Sequence, residues 1–176
     1  YRNYTAEYFP LGEDKFISMI EELKKAKKFI FMEYFIVDDG FMWRTVLDIL
    51  VDKVKEGVDV RFMYDGMCTL TTVPPWFPKL LNRYGIKCRV FAPIRPFLTT
   101  SQNHRDHRKI LVIDGETAYT GGINLADEYV NVRERFGHLK DTAIMLKGEA
   151  VKSFTMMFLQ NWNLFGFDFC TIKYYC

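Results

Sequence analysis

The chain has 176 residues and a net charge of +2, with 49% hydrophobic, 16% aromatic and 26% charged residues. That suits one domain with a sizeable core and excludes a disordered segment. No apolar run approaches the ~20 residues of a membrane span.

Hydrophobic periodicity then sets out the elements in chain order. Residues 14–28 read as a helix with Phe16, Ile17, Ile20 and Leu23 inward, followed by a strand over 29–37. Residues 41–56 place Trp43, Val46, Leu47, Leu50, Val51 and Val54 on one helical face. Gly57 ends that helix, and 58–64 is the next strand. A turn-rich loop over 65–77 precedes a short helix over 78–84, which Gly85 stops, and a strand over 86–91. A second long loop covers 92–103. Residues 110–113 and 117–120 form a hairpin about Asp114-Gly115-Glu116. A short helix over 125–131, a strand over 142–146 and a long apolar helix over 148–165 complete the chain. Alternating helices and strands predict an α/β fold, a central mixed β-sheet flanked by helices on both faces.

Cys68, Cys88, Cys170 and Cys176 show no CxxC and no metal-ligand spacing, so no metal site is expected and Cys88 reads as a buried thiol. From Lys79 to Lys109, eight Lys and Arg stand against one acid, Asp106. This basic tract predicts a positive rim around an anionic substrate. The two long loops carry Val73-Pro74-Pro75-Trp76-Phe77 and Pro93-Ile94-Arg95-Pro96-Phe97-Leu98. Their apolar residues either tuck onto the core or line an approach suited to acyl chains. A nuclease would place polar, basic loops there, so no nucleic acid is expected.

The chemistry concentrates in H-x-K-x4-D-x6-G-G, made by His107, Lys109, Asp114, Gly121 and Gly122, with Asn124 two positions on. A His and a Lys two apart on a strand point the same way, which sets an imidazole beside a fixed positive charge. Gly-Gly-x-Asn lets backbone approach a ligand and leaves an amide beside it. Neutral imidazole can attack phosphorus, and donors held in place can then stabilise the phosphoryl oxygens. Asp114 serves equally as a hairpin-turn residue or as a support for the site. Glu33, between Phe31 and Phe35 on a strand, is expected to meet a base, because an unpaired buried carboxylate is costly. Its role, structural or catalytic, stays open. His138-Leu139-Lys140 is a second H-x-K, but Met145 stands where the Asp should be. His104 reads as a solvated residue of the basic loop.

This motif resembles the signature of the phospholipase D superfamily. The segments Phe31-Met32-Glu33-Tyr34-Phe35, Arg105-Asp106-His107-Arg108-Lys109, Gly121-Gly122-Ile123-Asn124 and Phe158-Leu159-Gln160-Asn161-Trp162 are similar to the first half of bacterial cardiolipin synthases. The resemblance implies metal- and cofactor-free phosphatidyl transfer between two phosphatidylglycerols, giving cardiolipin and glycerol through a phosphohistidine. His107 would be nucleophile or acid, and Asp114 would belong to the catalytic set with His107 and Lys109, by supporting its geometry rather than by proton transfer. Lys109 and Asn124, with Gly121 and Gly122, would hold the phosphate. Asp141, with Glu134 as alternative, would bond the imidazole. It also implies a chain that is one phospholipase D-like domain, residues 1–176, of a longer protein anchored in a bacterial membrane and facing the cytoplasm. Its partners would be the anionic lipid, the membrane surface and a second such half, with weak self-association of the isolated half. Other phospholipase D-type phosphodiesterases, including phosphatidylserine synthase, phospholipase D and dimeric nuclease, share the motif. A half without catalysis of its own is the non-enzymatic reading.

Overall fold

The computed structural model describes residues 3–93, 105–135, 137–164 and 175. Chain order is β1 (Tyr4–Phe9), α1 (Gly12–Lys25), β2 (Phe29–Tyr34), α2 (Phe41–Lys55), β3 (Asp59–Asp65), α3 (Cys68–Thr71), α4 (Phe77–Arg83) and β4 (Lys87–Phe91). Then follow β5 (Ile110–Ile113), β6 (Thr117–Gly121), a 3-10 turn (Asp127–Val130), β7 (Ala143–Gly148) and α5 (Val151–Asn163). The seven strands form one sheet in the order β1-β7-β6-β5-β2-β3-β4. β2, β3 and β4 run parallel, and every other neighbouring pair is antiparallel. The sheet is mixed, as expected.

β2 sits near the centre and is buried along its whole length, which is why Phe-Ile-Phe-Met-Glu-Tyr does not alternate in polarity. Its residues nevertheless face two cores. Ile30, Met32 and Tyr34 meet α1, α2 and α4 through Met19, Leu23, Trp43, Val46 and Leu81. Phe29 and Phe31 meet α5 through Phe158 and Trp162. Phe31 stacks on Phe158 at 4.8 Å between ring centroids. The guanidinium of Arg61 lies over the rings of Phe31, Trp162 and Tyr175. Burying a cation there works because the rings offer their negative faces and Asp59 pairs with it at 2.9 Å.

Several boundaries differ from the sequence reading. In α1 the inward stripe is Lys15, Phe16, Met19 and Leu23, while Ile17 is 61% exposed. The 125–131 helix is one 3-10 turn. β1 was not foreseen, because it is an edge strand with only Phe9 buried and so carries no alternating pattern. Within the loop at 65–77, α3 forms, and Val73 and Phe77 tuck into the core while Trp76 stays exposed. The remainder of the 92–103 loop, after Pro93, lies outside the described residues, as do His104, Cys170 and Cys176. α2 starts without a side-chain cap of its own. The carboxylate of Asp127 supplies one from the 3-10 turn, accepting from the Phe41 and Met42 amides at 3.0 and 2.8 Å.

Candidate active site

Residues 105–109 lead into β5 along the end of the sheet where β2 and β3 finish, and their side chains alternate between its two sides. Arg105 donates to the buried Asp65 at the end of β3 (3.2 Å) and to the Ala92 carbonyl (2.8 Å). Asp106 and Arg108 turn toward α5. The amide of Asn161 donates to Glu33 Oε1 and to Asp106 Oδ2, at 2.7 and 2.5 Å. Arg108 Nε donates to Asp106 at 2.9 Å and lies 3.7 Å from Glu33. Burial, and then the neighbouring Asp106, push the Glu33 carboxyl up to about 8. Burial alone would raise Asp106 too, but hydrogen bonds from Arg108 and from protonated Glu33 hold it well below the usual carboxylate range. One proton therefore resides on Glu33 at neutral pH. Arg108 is the base that Glu33 was expected to meet.

With its neighbours held, His107 projects to the other side. Its imidazole is solvent-exposed and lies against the ring of Phe35, 3.9 Å between centroids at 31°. Lys109 Nζ is 5.5 Å from the centroid of the same ring and donates to the His107 carbonyl at 2.5 Å. Partial burial lowers the Lys109 pKa, and Asp141 and Asp106 oppose that shift. The imidazole and the amine thus share one aromatic floor.

The Asp141 carboxylate acts electrostatically on Lys109. Its Oδ1 accepts from the Thr142 amide at 2.7 Å. A Cβ built on Gly122 would lie 2.0 Å from that oxygen, and one on Gly121 would lie 2.3 Å from the Thr142 carbonyl. The glycines were expected to admit a ligand. In the structure a Gly121 side chain would meet Thr142 and Ala143 at the start of β7, and a Gly122 side chain would meet the Asp141 carboxylate just before that strand. Among the described residues, no hydrogen bond joins Asp141 to His107, and Glu134 is exposed on the surface.

Asn124 is 3% exposed, and both ends of its amide are engaged. Its oxygen accepts from the Ile36 amide at 3.0 Å, and its nitrogen donates to the Tyr129 hydroxyl at 2.8 Å. It fixes the exit of β2, and hence Phe35, and keeps one N–H for any other partner.

Asp114 does not join this group. It occupies the β5–β6 turn at the opposite end of β5, with φ +56°. Its carboxylate accepts from the amides of Lys27, Lys28 and Phe29 at 2.8, 2.7 and 2.9 Å. The catalytic assignment is corrected to a structural one: Asp114 anchors the start of β2. His138 pairs with Glu13 at 3.4 Å on the surface.

Phe35, Asp106 and Asn161 gave no sequence signal for these roles. Neither did Lys15, which is 2% exposed on α1 beneath the motif. Its amine donates to the Tyr34 hydroxyl at 3.3 Å, and burial lowers its pKa to about 7. Its place in the α1 stripe with Phe16, Met19 and Leu23 was the available clue.

Comparisons with known proteins agree with this architecture. A family described as "Cardiolipin synthase, PLD-like domain" matches residues 19–162. An uncharacterized protein of Streptococcus mutans is 57% identical over 96% of this chain and 37% of its own length. Cardiolipin synthase 2 of Bacillus cereus is 42% identical over 86% of this chain and 29% of its own length. The chain thus spans about a third of the length of these relatives. Among solved structures, the phospholipase D family member Nuc from Salmonella typhimurium superposes with a TM-score of 0.64 at 20% identity, covering 92% of this chain and 94% of Nuc. At that identity the likeness speaks for the fold.

Proposed function

The chain belongs to the cardiolipin synthase family of phospholipase D-like domains, and we propose that it supplies one half of a phosphatidyltransferase site. The observation that carries this reading is the exposed imidazole of His107, held on Phe35 beside the amine of Lys109. In the proposed reaction, a ring nitrogen of His107 attacks the phosphorus of phosphatidylglycerol. The bond from phosphorus to the glycerol oxygen breaks, and that oxygen takes a proton from an acid in a second phospholipase D-like half. Lys109 holds a phosphoryl oxygen as charge builds on it, assisted by the remaining N–H of Asn124. The phosphatidyl group then rests on His107 until the hydroxyl of a second phosphatidylglycerol takes it. The products are cardiolipin and glycerol. The substrate implies work at a membrane surface, on the cytoplasmic side of a bacterial membrane. Among the described residues, no helix is long and apolar enough to cross a bilayer.

The test is His107→Ala in the full-length protein. Cardiolipin formation from phosphatidylglycerol vesicles should be abolished, and the unaltered protein should yield a trapped phosphatidyl group on His107. Near-normal turnover by the variant refutes the assignment. A label found only on the histidine of the other half makes His107 the acid.

A further inference from the structure

The side chain of Asp106 turns back across His107. Its Oδ1 accepts from the backbone amide of Arg108, two residues on, at 3.0 Å. Aspartate favours this kind of turn, and here its central residue is His107. The backbone dihedrals of His107, and so the direction of its imidazole, follow from the turn. On the other side, Lys109 Nζ ties the His107 carbonyl.

Asp106 is held in its turn from two other elements. Asn161 on α5 spends both N–H bonds of its amide there, one on Asp106 at 2.5 Å and one on Glu33 of β2 at 2.7 Å. Arg108 Nε donates to both oxygens of Asp106 at 2.9 Å. Glu33 is 3% exposed, and its Oε2 finds no donor among the described residues. Ionised, that oxygen would be a buried charge left unanswered. Protonated, the carboxyl donates to Asp106. The charges that bear on Glu33 are Asp106 and Arg108, while α5 offers it the neutral Asn161. Farther along α5, Arg61 of β3 and Arg89 of β4 lie over the Trp162 ring, with Arg61 paired to Asp59. An apolar side chain in place of Glu33 would serve stability as well. What the polar cluster adds is a fixed orientation where β2, α5 and the lead into β5 meet.

We propose that Glu33, Asp106 and Asn161 are positioning residues for His107: together they lock the Asp106 turn, and the locked turn aims the imidazole at phosphorus. This rests on the phosphatidyl-transfer reading and adds to it the residues that orient its histidine. None of the three touches the substrate. Loss of the Glu33 proton would set two carboxylates side by side, and their repulsion would loosen the turn. Because Glu33 is pushed up to about 8, the lock holds below that pH and weakens above it.

Two measurements separate the lock from the reaction it serves. In the 176-residue chain, the NMR signals of the His107 ring should show a step near pH 8 that Glu33→Gln removes. In full-length protein with phosphatidylglycerol vesicles, Asp106→Ala should lower kcat by about tenfold or more and leave KM nearly unchanged. Asp106→Asn, whose side-chain oxygen still accepts from the Arg108 amide, should recover most of that loss. Glu33→Gln should carry transfer to higher pH than the unaltered protein reaches. A His107 ring with no such step, equal losses in the Ala and Asn variants, or an alkaline limit that Glu33→Gln does not move overturns the proposal. If Asp106→Ala does not fold, the His107 signals of Glu33→Gln decide. A His107 step that Glu33→Gln removes, in a protein whose full-length form makes no cardiolipin, upholds the lock and refutes the phosphatidyl-transfer reading.

Discussion

Replacing Lys15 by Met should make the protein more stable, by an amount that depends on pH. Lys15 is 2% exposed, and its amine donates a hydrogen bond to the Tyr34 hydroxyl. Burial takes its pKa from 10.5 to about 7. At about 1.36 kcal/mol per pH unit, the buried ammonium costs roughly 5 kcal/mol. Met fills a similar volume without the charge and gives up about 1 kcal/mol of hydrogen bond. The expected net gain below pH 7 is roughly 4 kcal/mol, on the order of 10 °C in Tm for a chain of this size. Between about pH 7 and 10.5 the unfolded chain keeps a proton that the folded chain has lost. Stability of the unaltered protein therefore rises with pH through that window, and the advantage of Met shrinks toward zero. Burial pushes Tyr34 further above its ordinary value, so it stays neutral across the window. Urea unfolding of both proteins at pH 6 and pH 10 measures the difference. A Met variant no more stable at pH 6, or an advantage equal at both pH values, refutes the reasoning.

Asp114→Ala should cost about 3 kcal/mol, since three amides at the start of β2 lose a charged acceptor; urea unfolding reads this, and a loss below 0.5 kcal/mol would leave the anchor without weight. Glu33→Gln mimics the protonated carboxyl. Because Glu33 is pushed up to about 8, the unaltered protein should lose stability as pH rises from about 4.5 to 8, and the variant should lose less; parallel stability curves would contradict this. Phosphatidyl transfer by the full-length protein should survive EDTA, because Lys109 supplies positive charge at the phosphate; activity lost on chelation and restored by one metal would reveal a missed site. The 176-residue chain alone should fold and self-associate weakly without turning over phosphatidylglycerol, since acid and nucleophile need two histidine motifs. Assay and sizing column together check it, and turnover by a stable homodimer would refute the half-site argument.

The sequence by itself determined the local pattern. Periodicity marked β2, α2, β3, β4 and the β5–β6 hairpin closely, because buried stripes and buried runs are written in consecutive residues. The two-residue spacing of His107 and Lys109 set them on one side, and the structure brings both against Phe35. The family was legible from the same segments. Whatever depends on strand order was not. β5 inserts beside β2, so residues far apart in the chain become neighbours: Asn161 with Glu33, Asn124 with Ile36, Asp127 with the start of α2. The same order carries Asp114 to the far end of β5, where the motif's spacing suggested a place in the site. Gly121 and Gly122 read as room for a ligand, and the fold sets Thr142, Ala143 and the Asp141 carboxylate against them. Spacing along a strand fixes which side a residue faces. Only the packing of the sheet decides what stands there to meet it.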